Sequence, residues 1–176
     1  IEKNDFISNA KSGELFNNDI LNDYKQFMFD HIKIDKKLKV VMDCGNAVGG
    51  IIAPEIYKKF NVELKELYCD LNPNFPNHHP DPTVDSNLKD MIDVIKYGSY
   101  DVGIAFDGDA DRIVVVSNKG EIIRADILLA FFLEFIVKKD DTVVYDVKCS
   151  KSLEDIIERL EAKPIMWKTG HSLIKN

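Results

Sequence analysis

Between Glu14 and Ile34 the apolar residues Leu15, Ile20, Leu21, Tyr24, Phe27, Met28 and Ile32 recur mostly three or four positions apart, which predicts an amphipathic helix. At Lys39 the period changes. The compact run Val40-Val41-Met42 stops at Asp43-Cys44-Gly45-Asn46, and helical spacing resumes from Ile51 to Phe60, a strand, tight turn and helix in succession. Val62 to Cys69 predicts a second strand. The segment Asn72 to Pro82 carries too many prolines for regular structure and reads as a loop. Beyond it, Ser86 or Asp85 is expected to cap a helix running through Ile95. Asp101 to Phe106 then forms a strand that enters the acidic turn Asp107-Gly108-Asp109-Ala110-Asp111-Arg112, and Ile113 to Ser117 leaves it as the next strand. After Asn118-Lys119-Gly120 the pattern repeats: helix Asp126 to Val137, strand Thr142 to Val147, helix Ser152 to Leu160, strand Pro164 to Trp167, then Lys168-Thr169-Gly170-His171.

Strands and helices alternating at this pitch define an α/β fold with mainly parallel strands. The two strands flanking residues 107–112 are the expected antiparallel exception. Two related α/β units are expected, the second truncated, because its last helix has barely begun at Asn176. At 176 residues and 45% hydrophobic content, the chain can bury one substantial core or two small ones.

Charge and special segments then narrow the partners. A net charge of −7 opposes nucleic acid and anionic lipid as partners, so an anionic substrate needs a cationic pocket of its own. The longest apolar stretch, Ile127 to Val137, is broken by Glu134 and is too short for a bilayer, so no membrane segment is expected. The chain opens at Ile1 with no targeting motif. Cys44, Cys69 and Cys149 are odd in number and each lies in or just after an apolar run, which fits reduced core thiols and a cytoplasmic protein.

The acidic turn carries the strongest chemistry. Asp107, Asp109 and Asp111 alternate directly after an apolar strand, and a turn can fold them around one hard divalent cation. All-oxygen ligation with open positions suits Mg²⁺. Arg112 adds a permanent charge and a bidentate fork where a phosphate must approach, so the segment reads as a phosphoryl-transfer site. Other readings compete. A solvated acidic turn is the plain one. An EF-hand fails on position: counting from Asp107, the sixth residue is Arg112 where Gly is needed, and the twelfth is Asn118 where Glu is needed. A haloacid-dehalogenase-type phosphatase also begins with aspartates after a strand, but its downstream lysine and second acidic motif find no convincing place. Asn46-Ala47-Val48-Gly49-Gly50 has the outline of a phosphate-cradling turn yet lacks the dinucleotide fingerprint and the P-loop Lys-Ser/Thr pair, so no nucleotide cofactor is expected.

Five segments occur in the order seen in bacterial phosphomannomutase/phosphoglucomutases: Lys39 to Asn46, Asn74 to Pro82, Asp107 to Arg112, Asp146-Val147-Lys148-Cys149 and Trp167 to Lys175. From about Lys39 to its end, the chain therefore resembles an internal piece of an α-D-phosphohexomutase. The resemblance implies a leading helix or linker over residues 1–37, the second domain with the metal loop over 38–118, and part of the third domain over 119–176. It implies Mg²⁺ on Asp107, Asp109 and Asp111, shared with a phosphoserine on a preceding domain. Arg112 is then expected beside the reacting groups, and Lys148 and His171 facing the sugar phosphate. The implied substrates are mannose or glucose 1- and 6-phosphates, and the implied partners are the remaining domains of the parent chain.

The nearest rival within the family is a phosphoglucosamine mutase, disfavoured by the Trp167 to Lys175 motif; outside it stands a non-catalytic metal- or sugar-phosphate-binding module. The sequence holds no Ser-His-Asn-Pro nucleophile segment and no Gly-Glu-Met-Ser-Gly-His sugar loop, so the isolated chain is expected to be inactive. Ala110 and Ala47 stand where the family commonly has Gly, which matters if either position requires a positive φ. Ile127 stands where relatives often carry Arg. His78 and His79, consecutive in a proline-rich loop, are read as loop-structuring and not as metal ligands.

Overall fold

The computed structural model describes residues 13–175, and the side chain of His171 lies outside the described residues. The chain divides into two units, residues 1–32 and 33–176. In the first, helix α1 spans Leu21–His31, shorter than the Glu14–Ile34 expected from periodicity. The reason is local. Asn17, Asn18 and Asp19 favour bonding to nearby backbone over helix, and Asp19 Oδ1 accepts the Leu21 N–H at 3.0 Å.

The second unit contains two sheets. Five strands, β1 (Leu38–Asp43), β2 (Val62–Leu67), β3 (Val102–Phe106), β4 (Ile113–Ser117) and β5 (Ile122–Ile123), lie in the order β2-β1-β3-β4-β5. β1 pairs in parallel with β2 and β3, while β3–β4 and β4–β5 are antiparallel. The mixed, mainly parallel character expected is thus present, with the antiparallel hairpin built around the acidic turn. The short β5 is an addition that periodicity did not reveal, since two residues carry no period.

Helices α2 (Gly49–Lys59) and α3 (Lys89–Gly98) follow β1 and the proline-rich loop. Leu88, Met91 and Ile95, spaced at three and four, are at most 1% exposed and pack with Val41, Ala105 and Val116. Each such side chain contributes about 1.5–3 kcal/mol by leaving water. Small residues let α3 come close, for a Cβ added to Gly103 would sit 2.6 Å from Ile95 Cδ1. The capped helix start expected at Asp85 or Ser86 is replaced by a 3₁₀ turn, Asp85–Leu88, without a side-chain cap. The Asp85 carboxylate instead accepts two hydrogen bonds from the Arg124 guanidinium, both at 2.8 Å.

The second sheet comprises β6 (Thr142–Asp146) and β7 (Lys163–Trp167) in parallel, with α4 (Ala125–Ile136) and α5 (Lys151–Arg159) packed through Ala130, Leu133, Val143, Tyr145, Leu153 and Ile157. Arg159 pairs with Glu134 across the two helices. A short helix α6 (His171–Ile174) ends the described chain. Among the described residues no helix is long and apolar enough to cross a membrane.

Candidate functional site

Asp107 leaves the end of β3 and is 2% exposed, whereas Asp109 and Asp111 stand out from the turn. The turn is closed by the Ala110 N–H on the Asp107 carbonyl at 3.2 Å and the Asp107 N–H on the Arg112 carbonyl at 3.3 Å. This geometry places Ala110 at φ 60°, a left-handed conformation that costs an L-residue energy and that Gly adopts freely. The Ala at this position therefore does carry strain. Ala47 is buried and is not among the residues with positive φ, so its side chain is accommodated without that cost.

One carboxylate oxygen from each of Asp107, Asp109 and Asp111 lies within 4.8 Å of the other two. Asp107, Asp109 and Asp111 are thus gathered closely enough that each would supply one oxygen to a single small divalent cation such as Mg²⁺. The all-oxygen donor set matches the same hard cation.

Arg112 grips the buried carboxylate from two sides. Its backbone N–H donates to Asp107 Oδ1 at 3.0 Å and its Nε donates to Oδ2 at 2.7 Å, leaving further lone pairs on both oxygens. Burial pushes the Asp107 carboxyl up, but the Arg112 N–H and guanidinium outweigh it and hold the group below its ordinary value. The guanidinium also lies 3.8 Å from both Asp81 and Asp111. Arg112 is thus an exposed cation aimed by carboxylates beside the metal-type triad.

Asp81 belongs to the proline-rich loop, and the turn after β1 holds that loop in place. Asn46, at φ 58°, donates through Nδ2 to the Asp70 carbonyl at 2.8 Å and accepts from Asn77 Nδ2 at 2.7 Å. Gly45, at φ 53°, sits against Pro80, where an added Cβ would come within 2.9 Å. His78 Nε2 lies 3.0 Å from Asp43 Oδ2, and its Nδ1 lies 2.9 Å from the His79 carbonyl. The imidazole thus bridges the buried Asp43 carboxylate and the His79 carbonyl. Burial raises the Asp43 carboxyl above its ordinary value, opposed by the Gly45 N–H and His78. His78 therefore structures the loop through a buried partner, while His79 is exposed.

Lys148 and His171 occupy a different edge. Lys148 lies just beyond β6, exposed, and His171 begins α6 just beyond β7. Because β6 and β7 are parallel neighbours with Asp146 opposite Trp167, the two loops leave the same end of the sheet. Carboxyl ends of parallel strands are where α/β proteins assemble ligand sites. Among the described residues no hydrogen bond or ion pair joins this pair to the Asp107–Arg112 turn. The structure thus unites Asp107, Asp109, Asp111 and Arg112, and separately places Lys148 and the start of α6 at the same end of the second sheet.

Three residues touching these groups were not singled out from spacing. Asp43 and Asp81 reach their partners only through contacts 35 and 31 residues away, which no local pattern signals. Asp146 was legible in principle, because an Asp two residues before a loop N–H is an Asx-turn signature.

Comparison with known proteins identifies the family. Residues 14–120 match the description of phosphoglucomutase/phosphomannomutase alpha/beta/alpha domain II, and residues 124–176 match that of domain III. The chain belongs to the phosphoglucomutase/phosphomannomutase family. It is 46% identical, over 99% of its length, to a phosphomannomutase/phosphoglucomutase of Pseudomonas aeruginosa, and 40% identical to a phosphoglucomutase of Neisseria meningitidis over its whole length. It spans only 38% and 39% of those relatives. A crystal structure of a phosphoglucomutase/phosphomannomutase family protein from Burkholderia thailandensis matches 89% of the chain, and 35% of its own, at a TM-score of 0.85 and 42% identity.

Proposed function

We propose that this chain is the metal-loop segment of a phosphomannomutase/phosphoglucomutase, whose complete protein interconverts hexose 1-phosphates and 6-phosphates through an enzyme phosphoserine and a bisphosphorylated sugar. The observation that carries the reading is the convergence of Asp107, Asp109 and Asp111 beside an Arg112 held by Asp107. Asp107, Asp109 and Asp111 would hold Mg²⁺. When bound, that ion offsets negative charge on a transferring phosphoryl group.

The chain's own residues do the rest of the local work. Asp107 fixes the Nε edge of Arg112 and leaves the remainder of the guanidinium exposed, a preorganised cation for phosphate oxygens. Lys148 would supply a second cation at the mouth of β6, and His171, at the start of α6 beyond the neighbouring strand, would join it in recognising the sugar phosphate. The nucleophile segment is supplied by another part of the parent chain, so the isolated segment does not turn over substrate. Its relatives' names support mannose and glucose phosphates as the substrate class.

A coupled assay of the full-length parent on mannose, glucose and glucosamine 1-phosphates tests this. Turnover of mannose or glucose 1-phosphate, lost on chelation and restored by Mg²⁺, is the expected result. Exclusive turnover of glucosamine 1-phosphate, or activity indifferent to chelator, would contradict it.

A further inference from the structure

Asp146 ends β6 at the point where the two loops of the second sheet diverge, and its carboxylate is bonded to both. Oδ1 accepts the backbone N–H of Lys148 at 2.7 Å, and Oδ2 accepts the Thr169 hydroxyl at 3.1 Å. Its backbone carbonyl takes the Cys149 N–H at 3.1 Å, while the Val147 N–H reaches the Trp167 carbonyl at 3.1 Å. One half-buried side chain therefore fastens the Lys148 loop to the turn that leads into His171.

Two concavities meet at this residue. One of about 530 Å³ is lined by Arg124, Asp126, Asp146, Lys148 and Ser150, and one of about 290 Å³ by Asp146, Thr169, Gly170 and Lys175. Asp146 is the wall common to both, with Lys148 in one and the residues preceding His171 in the other. A bare carboxylate here would repel an anionic ligand. Its two oxygens each accept a hydrogen bond, from an N–H and a hydroxyl, which orients the carboxylate toward the two loops, while the Lys148 side chain stays exposed.

We infer that Asp146 is a positioning residue for sugar-phosphate recognition, setting the spacing between Lys148 and the Thr169–His171 turn without itself touching the substrate. The inference rests on the mutase reading above. It concerns ground-state and transition-state binding alike, because the phosphoryl-transfer loop at Asp107–Arg112 shares no hydrogen bond with Asp146. Loosening the clamp therefore raises KM while leaving kcat close to its original value.

The test is steady-state kinetics of the full-length parent with hexose 1-phosphate. Asp146→Asn keeps one acceptor but turns an NH₂ toward the other donor, so KM rises about tenfold, the size expected for one charged hydrogen bond, with kcat changed less than about threefold. Thr169→Val raises KM in the same direction, Thr169→Ser restores it, and the double variant Asp146→Asn/Thr169→Val is no worse than Asp146→Asn alone, as two halves of one clamp require. The Thr169 pair keeps the test intact where Asp146→Asn fails to fold. An unchanged KM in Asp146→Asn and Thr169→Val, strictly additive effects, or a fall in kcat at constant KM would overturn the inference. Absence of turnover by the unmodified parent on every hexose 1-phosphate would instead overturn the mutase reading.

Discussion

Ala110 offers a sharp test of the loop geometry, because its backbone and its side chain pull in opposite directions. At φ 60° an L-residue stands about 1–2 kcal/mol above its preferred region. Replacing it with Gly removes that strain. The loss of a methyl matters little, since Ala110 is exposed and contributes to neither buried core. The opposing cost is the added freedom of Gly in the unfolded chain, about 0.4–1 kcal/mol. Ala110→Gly is therefore expected to stabilise the protein by about 0.5–1 kcal/mol, reversing the usual sign of an Ala-to-Gly exchange. Ala110→Val goes the other way, because a β-branched side chain fits the left-handed region worse than Ala. In urea unfolding followed by circular dichroism, with a slope of about 2 kcal/mol/M, the midpoint moves up by about 0.25–0.5 M for Gly and down for Val. A lower midpoint for Ala110→Gly, or a tolerated Ala110→Val, would refute the left-handed turn and with it the stated arrangement of the three aspartates.

Other consequences follow from particular contacts. Gly50 lies in the first turn of α2, where Ala normally gains about 1 kcal/mol over Gly, yet a Cβ there would stand 2.0 Å from the Cys69 carbonyl oxygen. Forcing the strand end and the helix apart costs more than the propensity gains, so Gly50→Ala loses about 2 kcal/mol in the same urea assay, and equal or greater stability would show the packing to be wrong. Asp43 has its folded carboxyl raised by burial above the ordinary 3.8. A raised value means that its stabilising contribution is complete below the unfolded value and is lost as pH rises through the folded one. The stability of the unmodified protein relative to Asp43→Asn should thus decline as pH climbs above the ordinary 3.8, and a rising difference would refute the burial argument.

Much of the scaffold could be read from periodicity, and the reasons it failed in places are physical. Leu88, Met91 and Ile95 announce α3 because a buried helix face must recur every three or four residues, and β4 was found to the residue because its apolar run is continuous. The end of α1 near Glu14 was overestimated because apolar spacing continued through Asn17-Asn18-Asp19, whose side chains compete for backbone groups. At Asp85 a plausible cap was redirected to Arg124, a partner 39 positions away that no local rule could supply. The aspartate triad was legible because its ligands are sequential. The support beneath it was not: the Asp43–His78 contact, the Asn46–Asn77 bond and the approach of Asp81 to Arg112 are all long-range, created by the fold. Lys148 and His171 came only from resemblance to the family, and what joins their loops, the Asp146 carboxylate, emerged from the three-dimensional arrangement.

The central claim is that the Asp107–Arg112 loop serves phosphoryl transfer on a hexose phosphate. It is tested most directly by ³¹P NMR of the full-length parent with Mg²⁺ and glucose or mannose 1-phosphate, comparing the unmodified protein with Asp109→Asn. Asp109 is exposed and has no core role, so the variant keeps its fold. The account predicts appearance of the 6-phosphate resonance with the unmodified protein and a loss of at least about a hundredfold in rate with the variant, the scale of removing charge stabilisation from a transition state. Interconversion by Asp109→Asn at the unmodified rate would contradict it.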